Sequence, residues 1–336
     1  MDTKKITAKS VGKFLEDNAI TVVLILMVAY VGLTKDNFFS WGSFVNLASN
    51  TSVRFLVALG VSGCLITKGT DLSAGRVVGF GACIAAALLQ QPDYANKYLP
   101  WLQEYPLIAV ILLTIGICAI IGLVNGIIIS FFNVPPFIAT LGMQTLVYGI
   151  CLVFTKSQPI GALQPKYTAM ASGKIPLFGE YYIPYLLIYA IIIGVIMWFI
   201  YNKTRHGKYM YAIGGNENAA EVSGVNTKFA KIRIYTTAAM LYGFAGILLA
   251  AKSGGASVGL GVGWELEAIA ACTIGGVSTN GGVGRVSGIL LGVLVFELLK
   301  LSLQFLGVNT SYQYIVQGIV IIVAVALDIR KYVAKK

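Results

Sequence analysis

The chain has 336 residues, 57% of them hydrophobic and only 12% charged, with a mean hydropathy of +0.78. A soluble domain carries about a quarter charged residues, so this composition cannot coat a water-soluble surface, and lipid must solvate much of the chain. The net charge of +11 sits in short connections between apolar runs, which points to anionic lipid and excludes the clustered basic and aromatic face that nucleic acid needs.

Lysines precede the first apolar run and no small-residue cleavage site follows it, so residues 1–18 read as a cytoplasmic N-terminal segment and 19–34 as a retained span. A bilayer crossing needs about 20 apolar residues. Further candidate spans follow at roughly 51–67, 76–91, 106–131, 136–155, 182–201, 232–252, 264–279, 283–306 and 312–328. The runs at 106–131 and 312–328 are apolar on every face, which suits helices and not the alternating strands of a barrel. The expected fold is all-α and polytopic, with about ten transmembrane helices in one membrane domain over 19–328 and a basic tail over 329–336. Placing both termini in the cytoplasm puts 17 of the 25 Lys and Arg residues inside, as the positive-inside rule asks.

All five cysteines fall inside apolar runs without a CxxC pair, so they read as small buried hydrophobes. Two short loops echo each other: GTDLSAGR at 69–76 and GGVSTNGGVGR at 275–285 each join apolar runs and end in an arginine. The longest inner connection, 202–231, contains YAIGGNENAAEVSGVN. Gly214-Gly215 breaks the chain, Asn216 is a good N-cap, and Glu217 sits at the positive end of the helix dipole. Residues 218–223 then give about two turns, and Gly224 supplies a left-handed stop. A short capped helix outside the bilayer has no core of its own, so it reads either as a docking element for a partner or as a solvated connector.

Polar groups inside hydrocarbon are costly and are functional candidates by default. Asp71 and Ser73 lie in a Gly-flanked break, Asn125 late in the fourth span and Gln144 midway along the fifth. Phe137 and Tyr148 offer aromatic faces for stacking. The structural alternatives are interhelical hydrogen bonds for Asn125 and Gln144, and a helix cap or an ion pair with Arg76 for Asp71. Glu265 and Glu267, after the Gly-rich stretch 253–263, are either part of an outer mouth or first-turn carboxylates. Glu297 and Lys300 are spaced to pair along one helix face.

Gly214-Gly215-Asn216 with Ala219-Ala220 and Ser223-Gly224 resembles the coupling segment of ATP-binding-cassette sugar permeases of the ribose/galactose family. Residues 69–76, Val134-Pro135-Pro136-Phe137-Ile138-Ala139-Thr140-Leu141-Gly142, and Glu265-Leu266-Glu267 leading into Gly275-Gly276 and Gly281-Gly282 are similar to the same family. The Thr70-Asp71-Leu72-Ser73-Ala74-Gly75-Arg76 form resembles the galactose/methyl-galactoside subgroup more than the ribose one; Pro135-Pro136 departs from its usual single proline. The resemblance implies an importer permease of the bacterial inner membrane that moves a monosaccharide. It implies docking of Gly215, Asn216, Glu217, Ala219, Ala220, Glu221 and Gly224 on a separate ATPase subunit, a periplasmic or lipid-anchored sugar-binding protein, and a second permease copy. ATP and Mg are used by the partner; the chain has no GxxxxGK(S/T) phosphate loop, so no cofactor is expected on it. A ribose permease, an ion-driven secondary transporter and a membrane enzyme are the alternatives. The secondary transporter wants a carboxylate relay, for which only Glu297 sits well inside a span, and the enzyme wants clustered His, Cys or carboxylates.

Overall fold

A computed structural model describes residues 19–101 and 104–333; the expected N-terminal segment 1–18 and Lys335-Lys336 lie outside the described residues. The order of elements is α1 (Ala19–Thr34), α2 (Trp41–Ile66), α3 (Ala74–Leu88), α4 (Leu107–Phe131), α5 (Pro136–Thr155), α6 (Pro165–Ser172), β1 (Lys174–Pro176), β2 (Tyr182–Pro184), α7 (Tyr185–Lys203), α8 (Arg205–Gly215), α9 (Glu217–Val222), α10 (Thr227–Ser253), α11 (Trp264–Ile274), α12 (Val286–Phe305) and α13 (Thr310–Val333). Each of the ten apolar runs carries a helix. Among the described residues, six helices, α2, α4, α5, α7, α10 and α12, are long and apolar enough to cross a membrane.

The bundle is arranged around α2 and α10, whose apolar windows are mostly buried, while α4, α5 and α7 keep most of theirs outward. Outward apolar side chains such as Ile108, Leu112, Val153 and Ile191 need lipid as solvent. Small residues let the backbones approach: a side chain on Gly122 would strike the backbone of Tyr235 and Thr236 and the methyl of Ala239, and one on Gly246 would strike the carbonyl of Val78. Close approach of this kind is how helices pack where no hydrophobic effect drives them together.

Two departures from the expected spans bear on the site. α2 begins at Trp41, ten residues before the apolar run, because Ser40 caps it by accepting from the Ser43 amide at 3.2 Å. α11 stops at Ile274, since Gly276 takes a φ of +83° that ends a helix readily only at glycine. At 1.5 Å per residue, α3 and α11 reach only about 22 and 16 Å, short of the ~30 Å hydrocarbon core. Both are part-length helices that begin inside the bundle.

At one end of the bundle the connection after α5 is knitted in place. Ile160 and Ala256 exchange backbone hydrogen bonds at 2.8 Å, Gln164 N donates to Leu89 O at 2.8 Å, and Tyr167 Oη donates to Ile247 O at 2.7 Å. Here β1 and β2 pair antiparallel with Ile175 opposite Ile183, a small departure from an all-α chain. At the other end lie α8, α9 and the two echoing loops. The second loop meets the chain just before the first, where α2 ends: the Gly282 amide donates to Ile66 O at 2.8 Å, and a side chain on Gly281 would meet Lys68.

Candidate functional site

The N-termini of α3 and α11 come together in the bundle interior. Gly75 opens α3 with its backbone against Gly261, just before α11, and beside the Glu265 carboxylate; a side chain there would strike both. Asp71 and Glu265 therefore stand at the N-terminus of α3, where a helix dipole favours negative charge. The N-cap Ser73 makes no side-chain cap to its own helix. Instead its hydroxyl donates to Asp71 Oδ1 at 2.6 Å, its amide donates to the same oxygen at 3.0 Å, and Asn125 Nδ2 donates to Ser73 Oγ at 3.1 Å. Thr140 of α5 closes the break: its hydroxyl accepts from the Leu72 amide and donates to Thr70 O, both at 3.1 Å.

Asp71, Ser73, Asn125 and Glu265 are all 5% exposed or less, so each must find a polar partner within the fold. Asn125 Oδ1 and Glu265 Oε2 lack a hydrogen-bond partner. Gln144 reaches this group by donating to Glu265 Oε1 at 3.4 Å. Phe137 does not join it and points outward. It lies on α5, whose outer face carries a shallow concavity of about 970 Å³ lined by Gly142, Thr145, Leu146, Gly149, Ile150 and Val153. Asp71 makes no ion pair with Arg76: the guanidinium donates to Val258 O at 3.1 Å and lies 4.1 Å over the Tyr148 ring. Tyr148 is thus occupied.

The expected outer mouth takes a different form. Glu265 is buried, and Glu267 enters a charged cluster with Arg54, Glu297 and Lys300. Arg54 pairs with Glu267 and lies 2.7 Å from Glu297; Lys300 lies 2.7 Å from Glu267 and 3.5 Å from Glu297. The Arg54 guanidinium also stacks 4.4 Å from the Trp264 ring. Two cations and two carboxylates from α2, α11 and α12 satisfy one another where burial would otherwise be costly. Sequence reasoning missed this cluster because Arg54 sat at the edge of an apolar run. The signal was Ser40-Trp41, a capped start that places Arg54 midway along its helix.

The segment 202–231 folds as two short helices. The expected break at Gly214-Gly215 falls one residue later, at Asn216, because Gly214 must press its backbone against Ile66 O and Gly282 and so stays helical. Asn216 caps α9 by accepting from the Ala219 amide at 3.0 Å. Glu217 pairs with Lys231 at 2.5 Å, and Thr227 donates to Glu221 at 2.5 Å. Gly224, at φ +83°, ends the helix, and Val225 N returns to Ala220 O at 3.0 Å. Ala220 is buried against Ile213 and Ala230, whereas Gly215, Asn216, Ala219, Glu221 and Gly224 are exposed and Val222 is 91% exposed. Within this segment, burial and then the Arg233 charge hold the His206 imidazole below its ordinary pKa.

The family model for the permease component of branched-chain amino acid transport systems matches residues 43–325. The chain belongs to this permease family. Within reach of it are proteins with sugar cargo. The galactose/methyl galactoside import permease protein MglC of Escherichia coli is 44% identical over 331 residues, 98% of each chain. The protein of the same name from Haemophilus influenzae is 43% identical over 325 residues, 96% of each chain. The ribose import permease protein RbsC of Escherichia coli is 34% identical over 316 residues, 92% of each chain. No solved structure matches the chain. The permease is a multi-pass, mostly helical membrane protein, and the buried polar junction between its two part-length helices lies within the matched residues.

Proposed function

We propose that this permease is the membrane-spanning subunit of an ATP-driven importer that carries galactose or methyl galactoside across the bacterial inner membrane. The observation that carries the cargo is the near full-length identity of 44% to galactose/methyl galactoside import permeases, against 34% to a ribose permease. The capped, outward-facing α9 supports the motor: beyond Ala220 its six residues find no core within the described fold, and Val222 is almost fully exposed, as a surface for a partner would be. Gly215, Asn216, Glu217, Ala219, Glu221 and Gly224 present this surface to a separate ATPase that binds ATP and Mg, and Ala220 seats α9 on α8 and α10.

Asp71, Ser73 and Asn125 hold the junction beside the translocation path, while Gln144 and Phe137 on α5 face it. The outward face of α5 is where a second permease copy completes the path, and a sugar-binding protein delivers cargo at the opposite end from α9. In this reading the shorter helices also cross or enter the bilayer, giving about ten spans and both termini in the cytoplasm. The test is reconstitution with the ATPase and the binding protein in vesicles, followed by ATP-dependent uptake of galactose, ribose and xylose. Uptake of galactose well above the others is expected; equal uptake of all three, or uptake without ATP, refutes the reading.

A further inference from the structure

The α8–α9 segment does not hang from the bundle; it is built into it through backbone. The carbonyl of Ile66 is among the last of α2, which lack partners within their own helix, and it accepts the Gly282 amide at 2.8 Å. Gly281 and Gly282 both take positive φ, +82° and +74°, a pairing that glycine adopts without strain. A side chain on Gly214 would strike Ile66 O and the backbone of Gly282, and one on Gly281 would meet Gly214 O and Lys68. Two side chains tie the edges. Lys68 Nζ donates to Gly215 O at 3.2 Å, and Tyr211 Oη donates to Gly284 O at 2.9 Å. Three segments far apart in sequence thus touch main chain to main chain at one point.

Two routes leave this point and reunite. From Lys68 the chain runs through Asp71 into α3; from Gly275 it runs back along α11 to Glu265. They meet again at Gly75, Gly261 and Glu265. We infer that the contact of Gly214-Gly215 with Ile66, Lys68 and Gly281-Gly282 is the rigid link that transmits movement of the α8–α9 segment to both part-length helices at once. Backbone packed against backbone has no rotamer to absorb a displacement, so a push on α8 moves the end of α2 and the end of α11 together. Lys68 and Tyr211 are positioning residues that keep the three segments in register.

This inference rests on the ATP-driven reading, and one experiment separates them. The unaltered permease, Lys68→Met, Tyr211→Phe and Gly282→Ala are each reconstituted with the ATPase and the sugar-binding protein, and galactose uptake and ATP hydrolysis are measured on the same vesicles. The expected result is that the ATPase still co-purifies and hydrolyses ATP, while sugar moved per ATP falls roughly five- to hundredfold in Gly282→Ala and by a smaller factor in the two side-chain variants. An unchanged ratio in Lys68→Met and Tyr211→Phe overturns the link even if Gly282→Ala does not fold. A proportional fall of uptake and hydrolysis together also overturns it, because a merely structural defect lowers both. No ATP-dependent uptake by the unaltered complex overturns the transport reading itself.

Discussion

Arg54 Nε lies 2.7 Å from Glu297 Oε1, joining the middle of α2 to the middle of α12. The same guanidinium pairs with Glu267, so Arg54→Met leaves a buried and a half-buried carboxylate to share Lys300 alone. Uncompensated buried charge costs about 3–5 kcal/mol. The single variant is expected to lower the thermal aggregation midpoint of the purified permease by several degrees. Arg54→Met combined with Glu267→Gln restores neutrality and should recover part of that loss; a double variant no better than the single one refutes the charge argument.

Asp71→Asn keeps an oxygen that can accept from the Ser73 amide and hydroxyl, now at 3.0 and 2.6 Å. The fold should survive with a loss near the 1–3 kcal/mol of a weakened buried hydrogen bond. Uptake should nevertheless fall, because the amide brings N–H donors to a junction where Ser73 already donates to the Asp71 oxygen. Normal transport rate and affinity in a stably inserted Asp71→Asn protein would make Asp71 purely structural.

Glu217→Lys removes an ion pair of the half-exposed kind worth only about 0.2–1 kcal/mol and sets positive charge at a helix start. Gly224→Pro forces φ from +83° toward about −65°. Both should leave the permease in the membrane at normal levels and depress ATP-coupled uptake. Unchanged uptake in both variants sinks the docking role of α9.

The pH dependence of the α8 region follows from His206. Its folded pKa is lowered by burial and by Arg233, so the fold prefers the neutral ring while the unfolded chain protonates near 6.5. Stability is therefore full above that value and declines as pH falls through it, until the folded ring also protonates. Measured relative to intrinsic exchange, the protection of α8 amides should fall between about pH 7 and pH 5, and His206→Gln should flatten that change. Equal acid sensitivity in both proteins refutes it.

Much of the bundle was legible because the pattern is local. Continuous apolar runs mark α4 and α5, and the Asn216 cap with the Gly224 stop marks α9 within one residue. What was not legible depends on packing between distant segments. Nothing near Glu265 tells that Gly75 will abut it, and nothing near Arg54 announces Glu267 and Glu297. The start of α2 was hidden for a related reason: its first three turns carry Asn46 and Asn50, polar residues that interrupt hydropathy although the helix continues through them. The glycines of 275–285 make turns and close backbone contacts; that they would abut Gly214 is a matter of tertiary geometry.

The cluster of Arg54, Lys300, Glu267 and Glu297 has an electrical consequence. Moving one unpaired charge across the membrane field takes about 2.3 kcal/mol per 100 mV. Because the four groups balance two against two, α2, α11 and α12 can shift together with no net gating charge from this cluster. The membrane potential then adds no term through this cluster to the movement that the proposed motor would drive.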